Sequence, residues 1–281
     1  MKKNIYQEIT KKNTKTFYYS TLFFPKKIRD EIFILYSFVR IIDNFVDEKK
    51  PNKKNFYLYK KKLNQVLKKN EKSKIKIVND FGQLVKKYNL HKEVEDYIKA
   101  QEKELKIKKY KSEKEFNLFT YGVAGTVGLM MAKILNLPKK TYKGAIKLGQ
   151  ALQIINNIRD IFEDYQRKKV YLSEEILKKF NLSQKNFLKN ENFQKLKKVI
   201  TYYLNQSFKL YREAKKEFKS FSNQNLFPVS VASDLYLNIA KKILKKPKLI
   251  FEKEKLKPNI FNIIKILIKR FILIYGFNKK N

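Results

Sequence analysis

Apolar residues recur at three- and four-residue spacing along most of the chain, in long segments separated by short polar breaks. That period is the mark of amphipathic helices. The spacing predicts helices over Asp30 to Val46, Lys53 to Lys69, Lys74 to Tyr88 and Lys92 to Lys106. The segment Glu113 to Leu135 is unusually apolar and carries small residues, so it belongs near the centre. After the break at Pro138, Lys139 to Tyr165 reads as a second central helix, followed by Ser183 to Lys219, Pro228 to Leu244 and Asn259 to Tyr275. No repeat, low-complexity linker or domain boundary interrupts this order. The expectation is one all-α domain over residues 1–281, with 259–281 as a basic, apolar and somewhat separate tail.

Composition narrows the chemistry. With 281 residues, 43% of them hydrophobic, there is material for one large core. Only 7 Gly and 6 Pro are present, too few for an architecture of many tight turns. The absence of Cys removes disulfides, thiolate catalysis and zinc-thiolate sites, and a single histidine, His91, leaves no multi-histidine cage. Chemistry must rest on carboxylates, hydroxyls, amides, Lys and Arg.

The net charge of +39 admits three readings. Drift toward Lys, Asn and Ile along the whole chain is the first; attraction to an anionic membrane surface is the second. Nucleic acid is disfavoured, because 59 of the 65 basic residues are Lys and nucleic-acid readers lean on the planar Arg fork. Residues 1–14 contain no apolar signal core, and the most apolar stretch, 260–277, is interrupted by Lys265, Lys269 and Arg270. A cytoplasmic protein that touches the membrane surface fits this pattern.

Two polar stripes stand out. Tyr36, Arg40, Asp43 and Asp47 lie at offsets 0, 4, 7 and 11, one face of a helix whose other positions are apolar. Alone, this could be an ordinary core ion pair of Arg40 with Asp43. Gln153, Asn156, Asp160 and Asp164, at offsets 0, 3, 7 and 11, form a second stripe within an apolar helix. Two such stripes make sense facing each other across a cavity. Carboxylate and amide oxygens in that array suit Mg²⁺, a hard ion that shares its shell with substrate phosphates.

These residues resemble the squalene/phytoene synthase family. Asp43-Asn-Phe-Val-Asp47 is similar to its first aspartate-rich motif. Asn156-Asn-Ile-Arg159-Asp160-Ile-Phe-Glu163-Asp164, with Arg167-Lys-Lys-Val-Tyr171-Leu172 after it, is similar to the second motif and its basic flap. Tyr121-Gly-Val-Ala-Gly125-Thr-Val-Gly128 is similar to the central helix, and Thr14-Lys15-Thr16-Phe17 to the family's Ser-Lys-Ser-Phe. The likeness runs from about Asn13 to Lys255, and the flanks look most like bacterial phytoene synthases. There are departures: Asn44 replaces the second aspartate of the first motif, Glu104 replaces an aspartate, and Phe119 replaces a tyrosine.

The resemblance implies an all-α isoprenoid synthase fold and a Mg²⁺-dependent prenyltransferase. Three ions would be bound with the diphosphate by Asp43, Asp47, Asn156, Asp160 and Asp164. Arg40, Tyr36 and Tyr171 are the catalytic candidates. Thr14, Lys15, Thr16, Lys168 and Lys169 are candidates for the diphosphates, and Gln153 is a further candidate for substrate binding. Phe17, Thr21, Phe33, Val123, Val127, Gly128 and Leu152 are candidates for the prenyl chains. Gly125 and Gly128 each cost a helix roughly 1 kcal/mol against Ala, which calls for close packing or room for a ligand tail.

The implied reaction joins two geranylgeranyl diphosphates 1′-1 through a cyclopropyl (prephytoene) diphosphate to phytoene, for carotenoid biosynthesis, without NADPH. The alternatives are squalene or dehydrosqualene synthesis from two farnesyl diphosphates, and a non-catalytic relative acting as an assembly factor. The tail either lies on an anionic membrane or docks on the core.

Overall fold

The computed structural model describes residues 4–48, 50–107, 109–252 and 256–276. Phe277 and the rest of the expected tail, and Lys255 at the end of the family likeness, lie outside these ranges. The chain folds as α1 (Ile5–Asn13), α2 (Lys15–Thr21), α3 (Lys26–Asp47), α4 (Lys53–Lys68), α5 (Lys76–Tyr88), α6 (His91–Glu104) and α7 (Glu113–Thr120). A π-helical turn, Tyr121–Gly125, leads into α8 (Thr126–Ile134), α9 (Tyr142–Arg159), α10 (Ile161–Gln166) and α11 (Glu174–Lys179). The order closes with α12 (Phe193–Lys215), α13 (Asn223–Lys245) and α14 (Ile260–Phe271). Two short strands, β1 (Lys109–Tyr110) and β2 (Val170–Ser173), pair in parallel and pin the segment after α6 to the one after α10. The architecture is all-α, as the periodicity predicts.

Helix ends follow from local chemistry. Asn4, Thr14, Asn52, Ser112, Ser173 and Asn259 cap N-termini with side-chain oxygens that accept backbone N–H groups. At C-terminal ends and turns, the left-handed conformation that usually favours Gly is taken by Asn70, Asn89, Asn136 and Asn181, with φ between 50° and 56°. In a chain poor in Gly, Asn is the next residue that tolerates this region.

Two large apolar clusters form most of the interior among the described residues. One gathers α3, α5 and α6, with Phe38 and Phe81 stacked at 3.9 Å and both fully buried. Burying each ring contributes about 2 kcal/mol. The other gathers α9, α12 and α13 with β2 and α11. The helices α8 and α9 cross at small residues. A Cβ on Gly128 would sit 2.3 Å from the Ala145 carbonyl oxygen, and one on Gly149 2.2 Å from that of Ala124. Gly128 therefore serves this crossing, where the backbones approach too closely for any side chain.

Several expected helices differ in their bounds, and the one expected from Pro228 starts at Asn223. Glu113 to Leu135 is interrupted by the π turn. Lys139 to Tyr165 is kinked at Asp160, whose backbone (φ −98°, ψ 8°) leaves helical geometry. The helix expected from Ser183 starts at Phe193, because the preceding residues form turns closed by Asn186 and Asn192. The periodicity also left α1 and α2 undrawn. Both are short, and each is held by its cap.

Candidate active site

A cavity of about 240 Å³ opens where α3 and α6 face α9 and α10. Both polar stripes reach it. From α3 come Arg40, Asp43, Asn44, Asp47 and, just beyond the helix, Glu48; from α9 and α10 come Gln153, Asn156, Asn157, Asp160 and Asp164. Gln101 and Glu104 of α6, Phe119 of α7, Val123 of the π turn, Arg167 and Tyr171 complete the wall. The kink at Asp160 does not scatter the second stripe, since all four of its residues line the same space.

The charge here opposes that of the molecule. Six carboxylates and two guanidiniums line the cavity of a chain that carries +39 overall. Removal from water and the Asp47 charge push the Asp43 carboxyl up to about 7, against the pull of Tyr97 and Arg40. Tyr97 Oη and Gln101 Nε2 both donate to Asp43 Oδ1, at 2.7 and 2.6 Å. Asp164 is raised well above the usual carboxylate range by burial, then by Asp160 and Asp47. Arg159 grips Asp160 with two parallel bonds, at 2.8 and 2.7 Å. A cluster of this kind calls for cations.

One cation is supplied by the chain. Lys169 Nζ lies 3.1 Å from Asp47 Oδ1 and 3.0 Å from Glu104 Oε1, and also donates to the Val46 carbonyl at 3.1 Å. Tyr171 Oη donates to the same Glu104 carboxylate. Burial pulls the Lys169 amine down, yet Glu104 and Asp47 outweigh it and leave the pKa raised. Lys168, its neighbour, adopts φ 62° in the turn that closes α10, where Lys169 N–H bonds to the Asp164 carbonyl at 2.9 Å. That left-handed turn sends Lys168 outward to solvent and Lys169 inward. The two lysines, equal candidates in sequence, are not equal in space.

The donor set fits a hard divalent cation. It offers oxygen only, and among the described residues the buried oxygens Asn156 Oδ1 and Gln101 Oε1 have no hydrogen-bond partner in the protein. Among the described residues no group of three carboxylates or imidazoles converges tightly enough to enclose a metal unaided. A shell here would draw on phosphate oxygens or water, which is how Mg²⁺ is usually held.

The remaining sequence candidates lie around this cavity rather than on its wall. Phe17 of α2 stacks on Tyr36 at 5.1 Å, and Arg40 Nε donates to Asn13 Oδ1 at 3.1 Å, so the N-terminal segment is fastened to the stripe. Removal from water raises the Tyr36 phenol pKa. Thr14 uses its hydroxyl to cap α2, Lys15 is exposed and Thr16 is buried. Thr21 is fully buried and donates to the Phe17 carbonyl at 2.7 Å. Phe33 is a core residue near Tyr18, Val127 packs on the first cluster, and Leu152 is half-buried on α9. Val123 is the one expected prenyl contact that lines the cavity.

The sequence reading assigned no role to Asn44, Glu48, Gln101, Glu104, Phe119, Asn157 or Arg167, all of which line the cavity. A signal existed for α6: Tyr97, Gln101 and Glu104 stand at offsets 0, 4 and 7, the same face rule that reveals the other stripes. The ring of Phe119 stacks on Tyr171 at 5.0 Å.

Known proteins share this fold. A family model described as squalene/phytoene synthase matches residues 10–260. The chain is 26% identical over 253 residues to a 15-cis-phytoene synthase of Synechocystis sp., covering 84% of this chain and 74% of that protein. It is 24% identical over 249 residues to a 4,4′-diapophytoene synthase of Staphylococcus haemolyticus, covering 85% and 86%. A dehydrosqualene synthase crystallised with a ligand has the same fold, with a TM-score of 0.87 at 22% identity over 97% of this chain and 96% of that one. The all-α isoprenoid synthase fold follows, and the chain belongs to the squalene/phytoene synthase family.

Proposed function

We infer that residues 1–281 form one catalytic unit that condenses two geranylgeranyl diphosphates, 1′-1, through prephytoene diphosphate to phytoene. The observation that carries this reading is the meeting of Asp43 and Asp47 with Asp160 and Asp164 around one cavity. Two proteins among those similar to the chain, from Synechocystis and Synechococcus elongatus, are 15-cis-phytoene synthases, which supports the C20 substrate.

In this reading Asp43, Asp47, Asn156, Asp160 and Asp164 hold Mg²⁺, which when bound draws charge off the departing diphosphate. Arg40 and Arg167 stand at the same wall as donors to its oxygens. Tyr36 and Tyr171 are the hydroxyl candidates, with Lys169 close to Tyr171 at 3.3 Å. Phe119 and Val123 present an apolar wall that keeps water from an allylic cation, and the stacked Phe119 and Tyr171 rings offer it a π-face.

In the first step the C1–O bond of one substrate breaks, C1 bonds across the C2–C3 double bond of the other, and a proton leaves to close the cyclopropane. In the second, diphosphate departs, the carbon skeleton rearranges, and loss of a proton gives phytoene. Hydride is not needed for this outcome, so NADPH has no part in it.

A second reading takes two C15 diphosphates to dehydrosqualene. It is favoured by the likeness to the Staphylococcus haemolyticus 4,4′-diapophytoene synthase and to the dehydrosqualene synthase structure. Competition between geranylgeranyl and farnesyl diphosphate, with the hydrocarbons resolved by mass, separates the two. A C40 product in excess supports the first, and C30 alone the second.

A further inference from the structure

Helix α14 carries apolar residues on two faces. On one, Ile263, Ile266 and Leu267 pack with Phe227, Val231 and Leu235, and Arg270 forms a bidentate pair with Asp234 at 2.7 and 2.6 Å. This face docks the helix on α13. On the other, Ile260, Phe261, Ile264, Ile268, Phe271 and Ile272 are all exposed, Phe261 by 79%. At 100° per residue these six span an arc of about 120°, and Lys265 and Lys269 follow directly along its edge. Both lysines are exposed, and 259–276 contains no acidic residue.

The patch continues onto the body of the protein. Phe227 contacts Phe271 and Tyr275 from within, at 6.3 and 5.9 Å, and the exposed ring of Phe23 from the other side, at 5.1 Å. Phe23 is followed by exposed Lys26 and Lys27, and it lies two residues beyond α2, the helix stacked on Tyr36. A water-exposed apolar face of this extent is unusual unless something covers it. No helix among the described residues is long and apolar enough to cross a membrane.

We propose that the outward face of α14, with Phe23, is a docking surface for an anionic lipid bilayer. The apolar arc enters the boundary between headgroups and acyl chains while Lys265, Lys269, Lys26 and Lys27 meet the lipid phosphates. Charge decides against a second copy as the occupant. Pairing two such faces would bring the same lysines of two +39 chains together. Of the two expectations for the tail, docking on the core is met by one face of the helix, and membrane binding is the proposal for the other.

The chain has no Trp, so Phe261→Trp places one reporter at the most exposed point of the arc. The full chain is mixed with vesicles of phosphatidylcholine, with or without phosphatidylglycerol, and both sedimentation and Trp emission are read. Binding to the anionic vesicles with a blue shift, weakened by salt and lost by about tenfold in Phe261→Ser/Ile268→Ser at unchanged thermal stability, is the expected result. A chain that stays in the supernatant overturns the proposal, as does equal binding by the double variant. A dimer in light scattering that the double variant abolishes assigns the face to a second copy instead. Sedimentation is read without substrate, so its failure leaves the proposed reaction untouched.

Discussion

Lys169 Nζ reaches Asp47 Oδ1 at 3.1 Å across 122 residues of sequence, joining the segment after α10 to the C-terminal end of α3. The same ammonium lies 3.0 Å from Glu104, so one buried cation holds three elements at the cavity wall. Both Lys169 and Glu104 are almost fully removed from water. Removing one partner of such a pair leaves the other charge uncompensated, which costs far more than the pair contributes.

Lys169→Met is accordingly expected to destabilise the ligand-free protein by about 3 kcal/mol. Lys168→Met, on the exposed side of the turn, should change stability by less than about 0.5 kcal/mol. Urea unfolding of the two variants checks this, and equal losses would remove the distinction between them.

The Asp43 carboxyl, raised from 3.8 to about 7, gives a pH dependence with a defined sign. In this range the folded protein binds a proton that the unfolded chain has released. Its contribution to stability is therefore complete below pH 3.8 and lost as pH rises through about 7. Thermal melts of the metal-free protein should show a steeper fall across that window than melts of Asp43→Asn. If Mg²⁺ binds the ionised carboxylate, calorimetry in buffers of different ionisation enthalpy should detect proton release near pH 6 and less of it near pH 8 (both about one unit from the midpoint).

The α8–α9 crossing predicts a purely steric effect. Gly149→Ala sets a Cβ against the Ala124 carbonyl, and the helices must part to admit it. A loss of about 2 kcal/mol is expected, visible as a lowered midpoint in urea. An unchanged midpoint would show that the crossing is loose.

Thr21 lies one turn after Phe17, is fully buried and spends its hydroxyl on the Phe17 carbonyl. If a prenyl chain runs along α2, Thr21→Phe should favour shorter substrates, raising the C30 to C40 product ratio by at least about tenfold. Unchanged selectivity would place the chain elsewhere.

Much of this was legible in the sequence because it depends on spacing. Helices α3 to α6 appear where the apolar period places them, and both stripes reach the cavity they imply. What spacing does not encode stayed hidden. Nothing in the letters around Asp160 marks a kink, since neither Gly nor Pro is there. Lys168 and Lys169 are the same residue type, and only the left-handed turn between α10 and β2 separates them. Tyr97 and Gln101 are hidden because their helix is polar enough to pass for a solvated one, although both are buried, as is Glu104, which only the family likeness singles out. Thr14, Thr16 and Phe17 could be singled out by family likeness but not located, because α2 is positioned by its stack on Tyr36 rather than by its own short pattern.

The central claim is that the two aspartate stripes act as one site on C20 diphosphates. The direct measurement is incubation of the purified chain with Mg²⁺ and geranylgeranyl diphosphate, without NADPH, followed by analysis of the extracted hydrocarbon. The account predicts a C40 product that disappears with EDTA and falls by at least about a thousandfold in both Asp43→Ala and Asp160→Ala, each folded as the parent. A C40 product that survives either substitution, or no hydrocarbon from C20 or C15 substrates, would contradict it.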